Sequence, residues 1–65
     1  MTLIVNGERR EVAAGTLAET LQALDYGDAK VATALNGKFV SARARGATLV
    51  KEGDRIEILA PRQGG

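Results

Sequence analysis

Two Asn-Gly pairs constrain the fold of this chain more than any other feature. Each pair joins two short stretches of strand-forming residues: Asn6-Gly7 joins 3–5 to 8–12, and Asn36-Gly37 joins 31–35 to 38–40. Asn-Gly between extended stretches favours a type I′ turn, because both central residues of that turn need a positive φ angle. The sequence therefore predicts two β-hairpins.

A helix is expected between the hairpins. Thr16 and Glu19 have the Thr-x-x-Glu spacing of a capping box, which marks a helix start. An apolar stripe with the i, i+4, i+7 spacing of a helix facing a sheet follows, made of Leu17, Leu21 and Leu24. We expect these leucines to be core residues. The helix should end near Asp25-Tyr26-Gly27, where Gly27 can take the left-handed capping conformation.

A final strand is predicted near residue 55. Ile56 and Ile58 alternate with charged residues, which is typical of a strand with one buried face. Leu59 then falls on the outward face, as Ile4 does in the first strand, where its neighbours Leu3 and Val5 point inward. If the first and last strands are neighbours, Ile4 and Leu59 would form an apolar patch for docking a partner.

The order hairpin, helix, hairpin, strand predicts an α+β fold with two layers. A single amphipathic helix between two hairpins buries its stripe by crossing one face of a mixed sheet. Residues 41–49 show no clear periodicity, and the pattern leaves the strand order open. We expect one folded domain, residues 1–60, followed by a flexible tail, residues 61–65.

The tail ends in Gly64-Gly65. The α-carboxyl group of Gly65 is ionised at neutral pH and is a weak oxygen nucleophile. Because glycine has no Cβ, such an end can thread a channel that a side chain would block. Five extended residues reach roughly 17 Å beyond Ala60. This geometry suits a terminus delivered into another protein's active site; a frayed end is the alternative.

Composition excludes several functions. The 65 residues include no cysteine and no histidine, which removes the disulfide, the thiol nucleophile, the commonest metal ligand and the usual general base. A net charge of +1 and two aromatic residues argue against nucleic acid as a partner. The apolar N-terminal stretch is too short for a signal peptide or membrane span. These observations predict a cytoplasmic protein that is not an enzyme and binds no cofactor or metal.

The element order and the tail resemble the ubiquitin-like β-grasp fold, which implies a mixed four- to five-stranded sheet on one main helix. Four segments are similar to one branch, the ThiS family of sulfur carriers in thiamine biosynthesis: residues 3–7, 34–40, 52–58 and 59–65. The resemblance spans essentially the whole chain. It also implies that the first and last strands are parallel neighbours, which would bring Ile4 near Leu59.

The resemblance implies a chemistry at the tail. A ThiF-like adenylating enzyme would use ATP and magnesium to adenylate the Gly65 carboxylate. A persulfide donor would then convert the acyl-adenylate to a thiocarboxylate, and a ThiG-like thiazole synthase would take up the sulfur. Gly64, Gln63 and Arg62 would thread the partners' active sites, and Arg62 would pair with an acidic groove or serve as a solvated spacer.

Other classes stay open at this stage. A carrier for molybdopterin synthesis, tRNA thiolation or cysteine synthesis would share the fold and the activation and differ in the final acceptor. A protein modifier would instead be joined through Gly65 to a lysine of its target. A plain interaction module would not need Gly65 at all.

Overall fold

The computed structural model describes residues 1–27 and 30–60 of the chain. The elements in chain order are strands β1 (Thr2–Val5), β2 (Glu8–Glu11) and β3 (Gly15–Thr16), helix α1 (Leu17–Ala23), strands β4 (Ala32–Leu35) and β5 (Lys38–Val40), 3₁₀ helix η1 (Ala42–Ala47), and strands β6 (Leu49–Val50) and β7 (Arg55–Leu59). The expected tail, 61–65, with its candidate residues Arg62, Gln63, Gly64 and Gly65, lies outside the described residues.

Both predicted hairpins are confirmed. β1 pairs with β2 and β4 pairs with β5, in each case antiparallel. The turn residues have the positive φ angles of a type I′ turn, with 49° at Asn6 and 83° at Gly7, and 51° at Asn36 and 86° at Gly37. Local turn chemistry therefore fixes the register of both hairpins.

Five of the strands form one mixed sheet in the order β2-β1-β7-β4-β5. β7 is the central strand. It runs parallel to β1 on one side and antiparallel to β4 on the other. This arrangement confirms the predicted mixed sheet and the predicted parallel pairing of the first and last strands.

The start of α1 follows the prediction. The Thr16 hydroxyl oxygen accepts a hydrogen bond from the Glu19 backbone N–H at 3.1 Å, and a Glu19 carboxylate oxygen accepts one from the Thr16 N–H at 2.9 Å. These two bonds complete the capping box. The predicted leucine stripe, Leu17, Leu21 and Leu24, is buried against the sheet.

The end of α1 differs from the prediction. Asp25, not Gly27, takes the left-handed conformation, with a φ of 69°. The Tyr26 N–H bonds to the Leu21 carbonyl at 2.8 Å and the Asp25 N–H bonds to the Gln22 carbonyl at 3.1 Å, which is the Schellman pattern. Aspartate tolerates positive φ through its short polar side chain, so the left-handed cap lies at Asp25, two residues before the glycine.

One buried cluster joins the helix to the inner face of the sheet. Its members are Leu3, Val5, Val12, Leu17, Leu21, Leu24, Val50, Ile56 and Ile58. The inward assignments of Leu3, Val5, Ile56 and Ile58 are therefore confirmed. Across the described ranges 1–27 and 30–60, no helix has the length and hydropathy needed to cross a membrane.

Residues 41–49, which show no periodicity in sequence, contain η1 and lead into a second, two-stranded sheet. In this sheet β3 pairs with β6. The Arg45 guanidinium holds η1 against β4 by donating to the Thr33 hydroxyl at 3.1 Å and to the Val31 carbonyl at 2.6 Å. Thr33 is buried and its hydroxyl donates in turn to the Val40 carbonyl at 2.8 Å. Hydrogen bonding thus orders a segment that has no hydrophobic pattern.

Candidate docking face and tail exit

The tail follows directly from the central strand of the sheet. Leu59 is the last residue of β7 and Ala60 is the last residue that the structure describes before the tail. β7 pairs with β4 as far as Leu59, where the chain leaves the sheet, whereas its strand pairing with β1 ends at Ile56.

The predicted pairing of Ile4 with Leu59 is wrong. The parallel register places Ile4 beside Arg55, whereas Leu59 lies opposite Ala32. Four residues separate Arg55 from Leu59, which is about 13 Å along a strand. On its other side Ile4 lies opposite Arg9. Ile4 is half-buried between two arginines and does not share an apolar patch with Leu59.

Phe39 is an exposed apolar residue on the same sheet face as Leu59 that the sequence reasoning missed. It pairs with Ala34, and Ala34 pairs with Glu57, so these three side chains form a row on the helix-free face of the sheet. Phe39 is 73% exposed and Leu59 is 72% exposed. Strand alternation would have placed Phe39 outward, because its neighbour Val40 packs against the core.

A shallow groove, called the outer groove below, runs between these exposed residues. Its walls include Asn6, Ala32, Ala34, Phe39, Glu57 and Leu59. The small alanine side chains of β4 leave the space, and Phe39 and Leu59 stand at its sides. Glu57 supplies the carboxylate in an otherwise mainly apolar surface. This composition suits docking of a partner that presents apolar side chains.

A second concave surface lies on the other side of Leu59, at the root of the tail. It is lined by Val31, Ala32, Ala42, Arg45, Leu59 and Ala60. The Arg45 hydrogen bonds to β4 and to the segment before it hold one wall in place. Leu59 is therefore an exposed leucine with a concave surface on each side, one residue before the end of the described domain.

A second exposed leucine lies elsewhere. Leu49, in β6, is 68% exposed and belongs to the small two-stranded sheet. It does not line the outer groove or the concave surface at the tail root. Leu49 is thus similar to Leu59 in exposure and different in position.

Within residues 1–27 and 30–60, no group of three or more acidic side chains is placed to hold a metal ion. The candidate site within these residues is the docking face around Leu59, next to the start of the tail.

The mixed five-stranded sheet, the one main helix and the exit of the tail from the central strand define a small protein of the β-grasp class. The chain belongs to the ThiS family, whose family model matches residues 3–65. No curated protein matches it at a significant level.

Two solved structures are similar along the whole chain. One is a crystal structure of the thiamine biosynthesis protein ThiS from Geobacter metallireducens, with 38% identity, a TM-score of 0.84 and full coverage of both chains. The other is a solution NMR structure of a thiamine biosynthesis protein from Geobacter metallireducens, with 36% identity, a TM-score of 0.82, and coverage of 100% of this chain and 88% of that one.

The family and both neighbours support a sulfur carrier of thiamine biosynthesis. Small sulfur carriers of the ThiS type are not themselves enzymes, and membership implies interaction with enzymes of the thiamine pathway. The family match supports the class of sulfur carrier over that of a plain interaction module.

Proposed function

We propose that this chain carries sulfur on its C-terminal carboxyl group. A partner adenylating enzyme binds ATP and magnesium, and a Gly65 carboxylate oxygen attacks the α-phosphate with loss of pyrophosphate. The terminal sulfur of a donor persulfide then attacks the acyl carbon and displaces AMP. A thiol cleaves the resulting S–S bond and joins the donor in a disulfide, which leaves the thiocarboxylate on Gly65.

One observation carries this proposal: the family model extends from residue 3 through Gly65 and thus includes the whole tail. The chemistry is consistent with the composition. A carboxylate does not react with sulfur nucleophiles until its oxygen becomes part of a good leaving group, and AMP supplies that group. A carrier needs neither cysteine nor histidine, which this chain lacks, because its partners supply the catalytic groups.

The tail sequence supports delivery into a narrow active site. Gly64 and Gly65 have no side chain beyond the α-carbon, so they can approach a nucleotide closely. Gln63 and Arg62 would lie in the channel leading to it, where Arg62 can pair with acidic groups of the partner. Pro61 fixes φ at the start of the tail and has no N–H to continue the strand pairing.

We further propose that the outer groove binds the adenylating enzyme. Six residues lead from Leu59 to Gly65, so an enzyme that holds Gly65 must come within roughly 20 Å of Leu59. Phe39 and Leu59 are the two large apolar side chains exposed beside this exit. Their burial by a partner would supply the hydrophobic contact that brings the tail to its target.

The proposed acceptor is a thiazole synthase, which takes the sulfur from the thiocarboxylate into the thiazole ring of thiamine. Both solved neighbours are thiamine biosynthesis proteins, which supports this choice. A carrier for another pathway would be activated in the same way but would not support thiazole formation, so the acceptor requires its own assay.

The decisive experiment is the intact mass of the chain after incubation with ATP, magnesium, a sulfur source and a ThiF-like adenylating enzyme. We expect a mass increase equal to the exchange of one oxygen for sulfur. A chain lacking Gly65 is the control and should show no change. An unchanged mass, with the enzyme active on another ThiS-family carrier, would refute the proposal. The thiocarboxylate product should then support thiazole synthase.

A further inference from the structure

Asn6 bonds to the strand that leads to the tail in a way that its place in a turn does not require. Its side-chain Oδ1 accepts a hydrogen bond from the Ile58 N–H at 2.7 Å, and its Nδ2 donates to the Ile58 carbonyl at 3.1 Å. Its backbone N–H donates to the Ile56 carbonyl at 2.9 Å. Asn6, in the turn of the first hairpin, therefore bonds to two alternate residues of β7, Ile56 and Ile58.

The side-chain bonds extend the pairing between β1 and β7. The paired register of these strands ends at Val5 and Ile56. Beyond that point the chain turns away, because Asn6 and Gly7 form the hairpin turn. The amide of Asn6 presents one donor and one acceptor, as a peptide group does, and satisfies both backbone groups of Ile58. The β1 side of β7 thus stays paired up to the residue before Leu59.

We infer that Asn6 is a positioning residue for the carrier reaction. By holding Ile58 it sets the orientation of Leu59 and of the root of the tail, so that the adenylating enzyme meets both in the geometry that it binds. This inference rests on the proposed function. Without Asn6 the end of β7 would become ordered only when the enzyme binds. The entropy cost of that ordering would lower the affinity of the enzyme for the carrier.

Asn36 provides a matched control within the same fold. It occupies the same position in the second Asn-Gly turn, with a φ of 51°. Its Oδ1 accepts from the Arg55 N–H at 2.9 Å and its Nδ2 donates to Asp54 at 3.0 Å. Its backbone N–H also bonds to β7, at the Arg55 carbonyl. Asn36 therefore holds the start of β7, at the end remote from the tail.

The test compares Asn6→Gly with Asn36→Gly. Glycine keeps the positive φ of each turn, and each variant loses two side-chain hydrogen bonds while keeping its backbone bond. Two measurements are made on each variant. The first is the amide hydrogen-exchange rate of Ile58 in the free chain, and the second is the steady-state kinetics (KM and kcat) of thiocarboxylate formation with the adenylating enzyme. Thermal unfolding establishes that both variants are folded at the assay temperature.

We expect Asn6→Gly to speed exchange at Ile58 and to raise KM about ten-fold with little change in kcat, because an ordering cost is paid on binding. Asn36→Gly should leave KM close to that of the unchanged chain. If Asn6→Gly does not fold, Asn6→Asp, which keeps the acceptor for the Ile58 N–H, replaces it with the same expected direction.

Each other result overturns the inference. Equal KM values for the two variants would show that general stability, not the end of β7, governs capture. A raised KM without faster exchange at Ile58 would show that Asn6 contacts the enzyme directly. If the unchanged chain gains no sulfur, the proposed function fails and the inference fails with it. If the unchanged chain gains sulfur and the Asn6→Gly variant has a normal KM, the proposed function stands and only the inference about Asn6 is refuted.

Discussion

Replacing Leu59 with glutamate tests the outer groove without disturbing the core. Full burial of a leucine side chain stabilises by about 1.5–3 kcal/mol. Because Leu59 is 72% exposed, about three quarters of that, roughly 1–2 kcal/mol, is available to a partner. Loss of this contact corresponds to a five- to thirty-fold rise in Kd at about 1.4 kcal/mol for each factor of ten. A buried carboxylate adds to the loss.

The assay is calorimetric titration of the adenylating enzyme with each variant. Leu49→Glu is the matched control, since Leu49 is 68% exposed but lies on the two-stranded sheet away from the tail. We expect Leu59→Glu to weaken binding and Leu49→Glu to leave it unchanged, with similar thermal unfolding for both. Equal affinities for the two variants would remove the outer groove from the mechanism.

The remaining predictions concern the tail and the two ends of α1. Gly64→Val should leave thermal unfolding unchanged and abolish adenylation of Gly65, because a β-branched side chain blocks a narrow channel; normal turnover by this variant would contradict the threading argument. Thr16→Ala should lower the free energy of unfolding by about 1 kcal/mol in urea titration, since the Glu19 N–H loses its cap, and an unchanged midpoint would mean that the capping box contributes nothing. Asp25→Asn should raise that free energy by about 0.3–1 kcal/mol, because it removes a negative charge from the helix C-terminus while keeping a residue that tolerates positive φ. A loss of stability in that variant would show that the aspartate carboxylate itself stabilises the helix end.

Local chemistry explains the parts of the fold that were predictable. An Asn-Gly pair determines its own turn, and the Thr16 and Glu19 side chains reach each other within one helical turn. Alternation also assigned Ile56 and Ile58 to the buried face. In each case the interacting groups are neighbours in sequence, so the pattern contains the structural information.

The candidate site was predictable only in part. Leu59 was correctly placed on the outward face, but the exposed apolar residue that lines the same groove is Phe39, across β4, and not Ile4. The alternation of residues along a strand predicts which face of the sheet a side chain occupies. It does not predict how far one strand is shifted along its neighbour. The prediction therefore had the right face and the wrong partner.

By itself, then, the sequence determined the hairpins, the start of the helix and the inner face of the sheet. Only the tertiary structure decided the register between β1 and β7, the separation of Ile4 from Leu59, and the bonds from Asn6 to Ile58. Asn6 and Ile58 lie 52 residues apart. Contacts of that range depend on how the helix and both hairpins pack together, which no local pattern of side chains specifies.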